Sequence, residues 1–185
     1  MLKEAISNLK EAAKNHALYE NVLKTDGNIV IFRGNLSEPD YLFIGEAPGN
    51  NENKEGIPFI GRSGKLLNSW LESLEIDSFA VINTVPIIPL DVSGKIRKPT
   101  KEEISYFKPH VDFFISQIKP KNIICLGKSA LEYMDIGLEN TSWKDRIGFI
   151  YHPSYYLRRG QNGLDDFRKL IENKLKKPQK NLDEF

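Results

Sequence analysis

Two loops of this chain hold the side chains best suited to chemistry. The first, Gly45 to Gly64, reads GEAPGNNENKEGIPFIGRSG and carries five glycines and two prolines in twenty residues. Such a loop lets backbone approach a ligand closely. Phe59 is its aromatic, either a stacking platform or a core residue of the loop itself. The second begins at His152-Pro153-Ser154 and continues through Tyr155, Tyr156, Leu157, Arg158 and Arg159. A histidine, aromatic and aliphatic side chains able to stack or wedge, and two guanidinium groups able to pair with phosphate suit nucleic acid. The competing reading of His152 is a purely structural histidine.

Other patterns are decoys. Gly127-Lys128-Ser129 follows an apolar run as in a phosphate-binding P-loop, but Asn122 stands where that motif needs its first glycine. Gly64-Lys65 fails likewise, with Phe59 at the required glycine and Leu66 in place of Ser or Thr. Cys125 is the only cysteine, which excludes an internal disulfide and a cysteine-rich metal site. Within Asn122–Leu126 it reads as a small buried hydrophobe, compatible with a reducing compartment.

The elements that must position these loops follow from periodicity. Leu2, Ala5, Ile6, Leu9, Ala12 and Ala13 share one helical stripe, which predicts a helix over 2–19. Strand-like runs cover 28–32, 41–44, 79–85, 122–126 and 149–151, separated by turn signals. Helical spacing resumes at Leu66, Leu67, Trp70 and Leu74. Thr100-Lys-Glu-Glu103 has the form of a capping box opening a helix through Ile118. Further helices are expected over 128–134 and 164–175. Strands alternating with helices require crossovers, so the expectation is a three-layer α/β/α fold with a central, mostly parallel four-stranded sheet. The strand ending at Gly45 empties into the first loop, which is where open α/β sheets present binding sites.

At 185 residues one domain over 1–185 is expected, with a mobile tail after about 177. The formal net charge is +1, but residues 144–180 hold ten Lys or Arg against four Asp or Glu. That end is either a polyanion-binding face or a solvated charged helix. No stretch is long and apolar enough for a membrane span or secretory signal, so a cytoplasmic protein is expected.

Taken together, Gly45-Glu46-Ala47-Pro48-Gly49 continuing to Phe59-Ile-Gly61-Arg-Ser63-Gly64, and His152-Pro153-Ser154 with Leu157-Arg158, resemble the uracil-DNA glycosylase superfamily, most closely its family 4. The resemblance covers nearly the whole chain in order. It implies that Asn83, at the end of Val81-Ile-Asn83, reads the Watson–Crick edge of uracil, because an amide offers donor and acceptor side by side. It implies that Gly45 and Ala47 line the base site, that Phe59 stacks on the flipped base, and that His152 donates a hydrogen bond to uracil O2. Ala47 stands where the best-known branch has a water-activating aspartate; Glu46 is then the candidate for orienting water, or it braces the loop. Gly49 replaces the aromatic that excludes thymine in that branch. Gly61, Ser63, Gly64, Ser154, Tyr155, Arg158 and Arg159 would face DNA, with Tyr156 or Leu157 filling the space left by the flipped nucleotide.

Family 4 members typically hold an iron–sulfur cluster on four cysteines, and the matching positions here are Ala13, His16, Ile87 and Phe107. No cluster, metal or other cofactor is therefore expected. The resulting expectation is a monomeric, monofunctional enzyme acting on uracil in single- or double-stranded DNA of the nucleoid, to initiate base excision repair. The alternatives are a glycosylase for hypoxanthine or xanthine, or a non-catalytic protein that binds damaged DNA.

Overall fold

The computed structural model describes residues 1–135 and 146–175. The chain runs α1 (Leu2–Asn15), α2 (Tyr19–Thr25), β1 (Phe32–Gly34), β2 (Tyr41–Gly45), α3 (Asn50–Glu55), α4 (Arg62–Ser73), β3 (Phe79–Asn83), α5 (Lys101–Ile118), β4 (Asn122–Leu126), α6 (Lys128–Asp135), β5 (Ile147–Ile150), α7 (Pro153–Arg158) and α8 (Leu164–Leu175).

The sheet has five strands, in the order β1-β3-β2-β4-β5, rather than the expected four. β2, β3, β4 and β5 are parallel; β1 is antiparallel to β3, pairing Phe32 with Ile82 and Gly34 with Ala80. The strand-like run 28–32 is therefore not itself a strand. Val30 instead donates its backbone N–H to Pro86 O at 2.8 Å, and only the residues from Phe32 join the ladder, which makes β1 a short edge strand.

Alternation along the parallel strands builds two cores. Leu42, Ile44, Ala80, Ile82, Ile123 and Cys125 face one side, packed with residues of α1, α2, α5 and α6. Tyr41, Phe43, Val81, Ile124, Leu126 and Ile150 face the other, against Leu67, Trp70 and Leu71 of α4, Tyr156 of α7, and Phe167 and Ile171 of α8. Since successive strand side chains point to opposite faces, a sheet with both faces covered reads as a continuous apolar run, as β2 and β4 do.

The single helix predicted over 2–19 is divided. His16 leaves helical geometry, its Nδ1 accepts Leu18 N–H at 3.1 Å, and α2 follows. At α5, Thr100 Oγ1 accepts Glu103 N–H at 3.2 Å while Glu103 accepts Thr100 N–H at 2.7 Å, the reciprocal cap that its spacing predicts. Arg97 adds a two-pronged contact to Glu103 at 2.9 and 2.6 Å. The mobile tail expected after 177 lies outside the described residues.

Candidate active site

The carboxyl ends of all four parallel strands open toward one region. β2 ends at Gly45 and β3 at Asn83, and the ladder pairs these two residues directly. β4 and β5 end as a matched pair, Leu126 with Ile150, which brings Gly127 beside His152. The chain steps from β2 to β3 on one side and then across β2 to β4 on the other, so β2 marks the switch point where such sheets bind ligands.

Phe59, Asn83 and His152, separated by up to 93 positions in the numbering, line one cavity of about 170 Å³ together with Ala47, Gly49, Glu52 and Ser63. The Phe59 and His152 rings lie 5.4 Å apart at 45°. Phe59 is 6% exposed and sits at φ 56°, a left-handed conformation uncommon for a bulky residue and suggestive of a functional constraint. Two glycines permit this arrangement. A Cβ on Gly64 would lie 2.9 Å from Phe59 Cα, and one on Gly45 would lie 2.6 Å from both Phe59 Cζ and Asn83 Oδ1. Asn83 is 4% exposed and its Oδ1 is buried without a hydrogen-bond partner.

His152 caps α7, with Pro153 at the first helical position. Its Nδ1 accepts the Ser154 backbone N–H at 3.2 Å and lies 2.9 Å from Ser154 Oγ, which itself accepts from Arg158 Nη1 at 3.1 Å. With Nδ1 occupied as an acceptor, the neutral ring carries its proton on Nε2. Burial foremost, then the charge of Arg158, outweigh the opposing influence of Glu52 and bring the imidazole pKa down to about 4. The ring is thus a neutral donor at physiological pH.

The stretch from 152 to 159 was expected to be a loop with two exposed aromatics; it is a helix, and Tyr156 points into the core. Tyr156 is 3% exposed, meets Trp70 edge-on at 5.6 Å, and donates its hydroxyl to Asp166 at 3.0 Å. It is therefore withdrawn as a wedge and as a DNA contact. Leu157 is half-buried and Arg158 and Arg159 are exposed. The Arg159 guanidinium lies 5.1 Å from the Tyr155 ring centre.

Glu52 was missed by sequence reasoning. It lines the base-sized cavity and accepts three backbone N–H groups, from Gly49 at 3.2 Å, Ile60 at 3.2 Å and Gly61 at 2.9 Å. This is the loop-bracing role that had been an alternative for Glu46. Its spacing, three residues after Gly49 at the start of α3, was the available signal. Glu46 faces a second, larger cavity that adjoins the first at Ala47 and His152, and it accepts a hydrogen bond from Ser129 Oγ.

An iron–sulfur cluster does not fit the positions where the resemblance implies one. Ala13, Ile87 and Phe107 are fully buried apolar side chains, and the His16 ring packs 4.6 Å from Tyr106 and 5.0 Å from Phe107. Among the described residues no three His, Cys, Asp or Glu side chains gather to hold a metal ion. Nor is any described helix long and apolar enough to cross a membrane.

The family model described as the uracil DNA glycosylase superfamily matches residues 31–176, which include every residue of this cavity. A type-4 uracil-DNA glycosylase of Sulfurisphaera tokodaii is 34% identical over 158 residues, 75% of this chain and 68% of the relative. Those of Archaeoglobus fulgidus and Thermotoga maritima are 31% and 33% identical, covering 80% and 74% of this chain and 83% and 76% of the relatives. With its parallel sheet, its switch-point cavity and these relatives, the chain belongs to the uracil DNA glycosylase superfamily, alongside the type-4 members.

Proposed function

We propose that this protein is a monofunctional glycosylase that hydrolyses the N-glycosidic bond of uracil flipped out of DNA. The observation that carries the reading is the Asn83 Oδ1 atom, buried, without a partner, and set beside Phe59 and His152. Leaving an acceptor unsatisfied costs about 1–3 kcal/mol, so an orphan at the wall of a cavity is best explained by a ligand that completes it. Uracil does so: N3–H donates to Asn83 Oδ1, and the amide nitrogen donates to O4. Cytosine presents the reverse pattern and leaves both groups mismatched.

In this reading the base slides against Phe59 and its O2 accepts from His152 Nε2–H. As the C1′–N1 bond breaks, the bonding electrons move onto uracil, and the His152 donor stabilises the developing charge in a water-poor site. A water molecule supplies hydroxide to C1′ and its proton goes to solvent or to the departing base. Glu46, held by Ser129 in the cavity adjoining His152, orients that water. Gly45 and Ala47 keep the wall low enough for the base; Gly61, Ser63, Gly64, Ser154, Tyr155, Arg158 and Arg159 meet the sugar–phosphate strand, with Leu157 at the gap left by the flipped nucleotide. The protein acts as a one-domain monomer on nucleoid DNA in the cytoplasm, a compartment suited to its lone buried thiol.

Single-turnover assays on matched duplexes containing uracil, hypoxanthine or xanthine test this. The expected result is fast uracil release, leaving an unbroken abasic strand, and loss of release in His152→Ala. Preferred release of a purine, or strand cleavage through a Schiff base, overturns it.

A further inference from the structure

The larger cavity, about 580 Å³, is not used by the base itself, yet it shares Ala47 and His152 with the base pocket. The two spaces are thus contiguous, and a strand that places uracil in the smaller one has room to continue past these two residues into the larger. The lining of that space has its own chemistry. Tyr151 and Tyr155 are stacked, ring centres 4.4 Å apart at 20°, and Tyr151, just past the edge strand β5, is 43% exposed. Phe149 meets Tyr151 edge-on at 5.4 Å and Tyr156 meets Tyr155 at 90°, so the pair is braced on both sides by other aromatics. Lys98, Lys128 and Arg158 line the same cavity, and none of them forms an ion pair among the described residues. The one acid there, Glu46, is engaged by Ser129.

An exposed ring, Tyr151, pre-stacked on a half-buried one, Tyr155, beside unpaired cations is the combination that single-stranded nucleic acid recognises: every base has a face to stack, and every nucleotide a phosphate to pair. A small-molecule site would instead need enclosing apolar walls and a few convergent polar groups. We propose that this cavity is a second nucleobase subsite, which takes the nucleotide adjacent to the flipped uracil, stacks its base on the Tyr151–Tyr155 pair and holds its flanking phosphates with Lys98, Lys128 and Arg158. The inference rests on the glycosylase reading for the direction of the strand. It adds a contact that is tolerant of base identity but sensitive to whether a base is present. It also favours substrates whose neighbouring nucleotide is already unpaired.

Binding of short single-stranded oligonucleotides, followed by fluorescence anisotropy, separates the possibilities. The central residue is deoxyuridine stabilised by 2′-fluorination, so that affinity is read without turnover. Three probes differ only in the neighbours: both bases present, the 5′ base replaced by an abasic spacer, or the 3′ base so replaced. For the wild type, one spacer should weaken binding about tenfold, the size of one base–aromatic stack. Tyr151→Leu should weaken the intact probe by the same factor and treat all three probes alike, whereas Tyr151→Phe should behave as wild type. Lys98→Ala and Lys128→Ala should each lower the slope of log affinity against log salt by about 0.7.

Indifference of the wild type to both spacers, or a full spacer penalty in Tyr151→Leu, overturns the proposal. A matching probe with thymine in place of uracil keeps the two readings apart. Preference for uracil without a neighbour effect removes the subsite alone. A neighbour effect without preference for uracil supports the subsite and counts against the glycosylase assignment.

Discussion

Protonation of His152 is the perturbation that most sharply tests the site. In water an imidazole takes up its proton near 6.5; burial, and secondly Arg158, bring this one down to about 4. That difference makes charging the folded ring costlier by about 3 kcal/mol, so at pH 7 only about one molecule in a thousand carries the imidazolium. The sign for stability follows from the folded value lying below the unfolded one. The contribution is complete above 6.5, is lost progressively as the pH falls from 6.5 toward 4, and is absent below that. Base release should accordingly show no inflection from this group near 6.5, and should fall only as the pH approaches 4. Histidine titration by NMR, with His152→Gln to assign the signal, reads the value directly, and the nitrogen shifts report which atom holds the proton. In Arg158→Ala the value should rise, because a cation has been removed, yet stay below 6.5 because burial is the larger cause. A wild-type titration near 6.5, or a neutral ring protonated on Nδ1, would refute the reasoning.

Three further outcomes follow from the same geometry. Gly45→Ala should fold, yet release uracil at least tenfold more slowly, because its Cβ would come within 2.6 Å of both Phe59 Cζ and Asn83 Oδ1; wild-type rates in a folded variant would contradict this. Arg158→Ala should weaken binding to all DNA sequences alike and reduce the salt slope by about 1, and an unchanged slope removes that side chain from the phosphate contacts. Tyr156→Ala should cost about 3–5 kcal/mol of stability as a large core truncation, whereas Leu157→Ala should cost far less and act on DNA binding; thermal denaturation of the two variants distinguishes a core residue from a wedge.

The sequence made the layered fold legible where one signal governed one element. Thr100 and Glu103 marked the start of α5 because both halves of a cap lie three residues apart. The apolar runs of β2 and β4 gave the buried parallel strands. β1 was displaced because the apolar residues 29–31 that precede it pack or bond outside the ladder, and pairing begins only at Phe32. The helix α7 was overlooked although His152-Pro153 has the form of an N-cap followed by proline. That error turned Tyr156 outward, when three-residue spacing from buried Pro153 turns it in. Glu52 escaped notice although it lies three residues after Gly49 at the start of α3, because Gly49 lacks the hydroxyl that makes such a cap conspicuous, and its bonds to Ile60 and Gly61 N–H form only in the folded loop. Lys98 and Tyr151 come from separate loops and Lys128 from the start of α6, and only the folded chain sets them around one space.

The most direct test is a crystal structure of the protein with free uracil. The base should lie against the Phe59 ring, with N3–H bonded to Asn83 Oδ1 and O2 within hydrogen-bond distance of His152 Nε2. Uracil bound elsewhere, or lying in this cavity with Asn83 Oδ1 still unpaired, would contradict it.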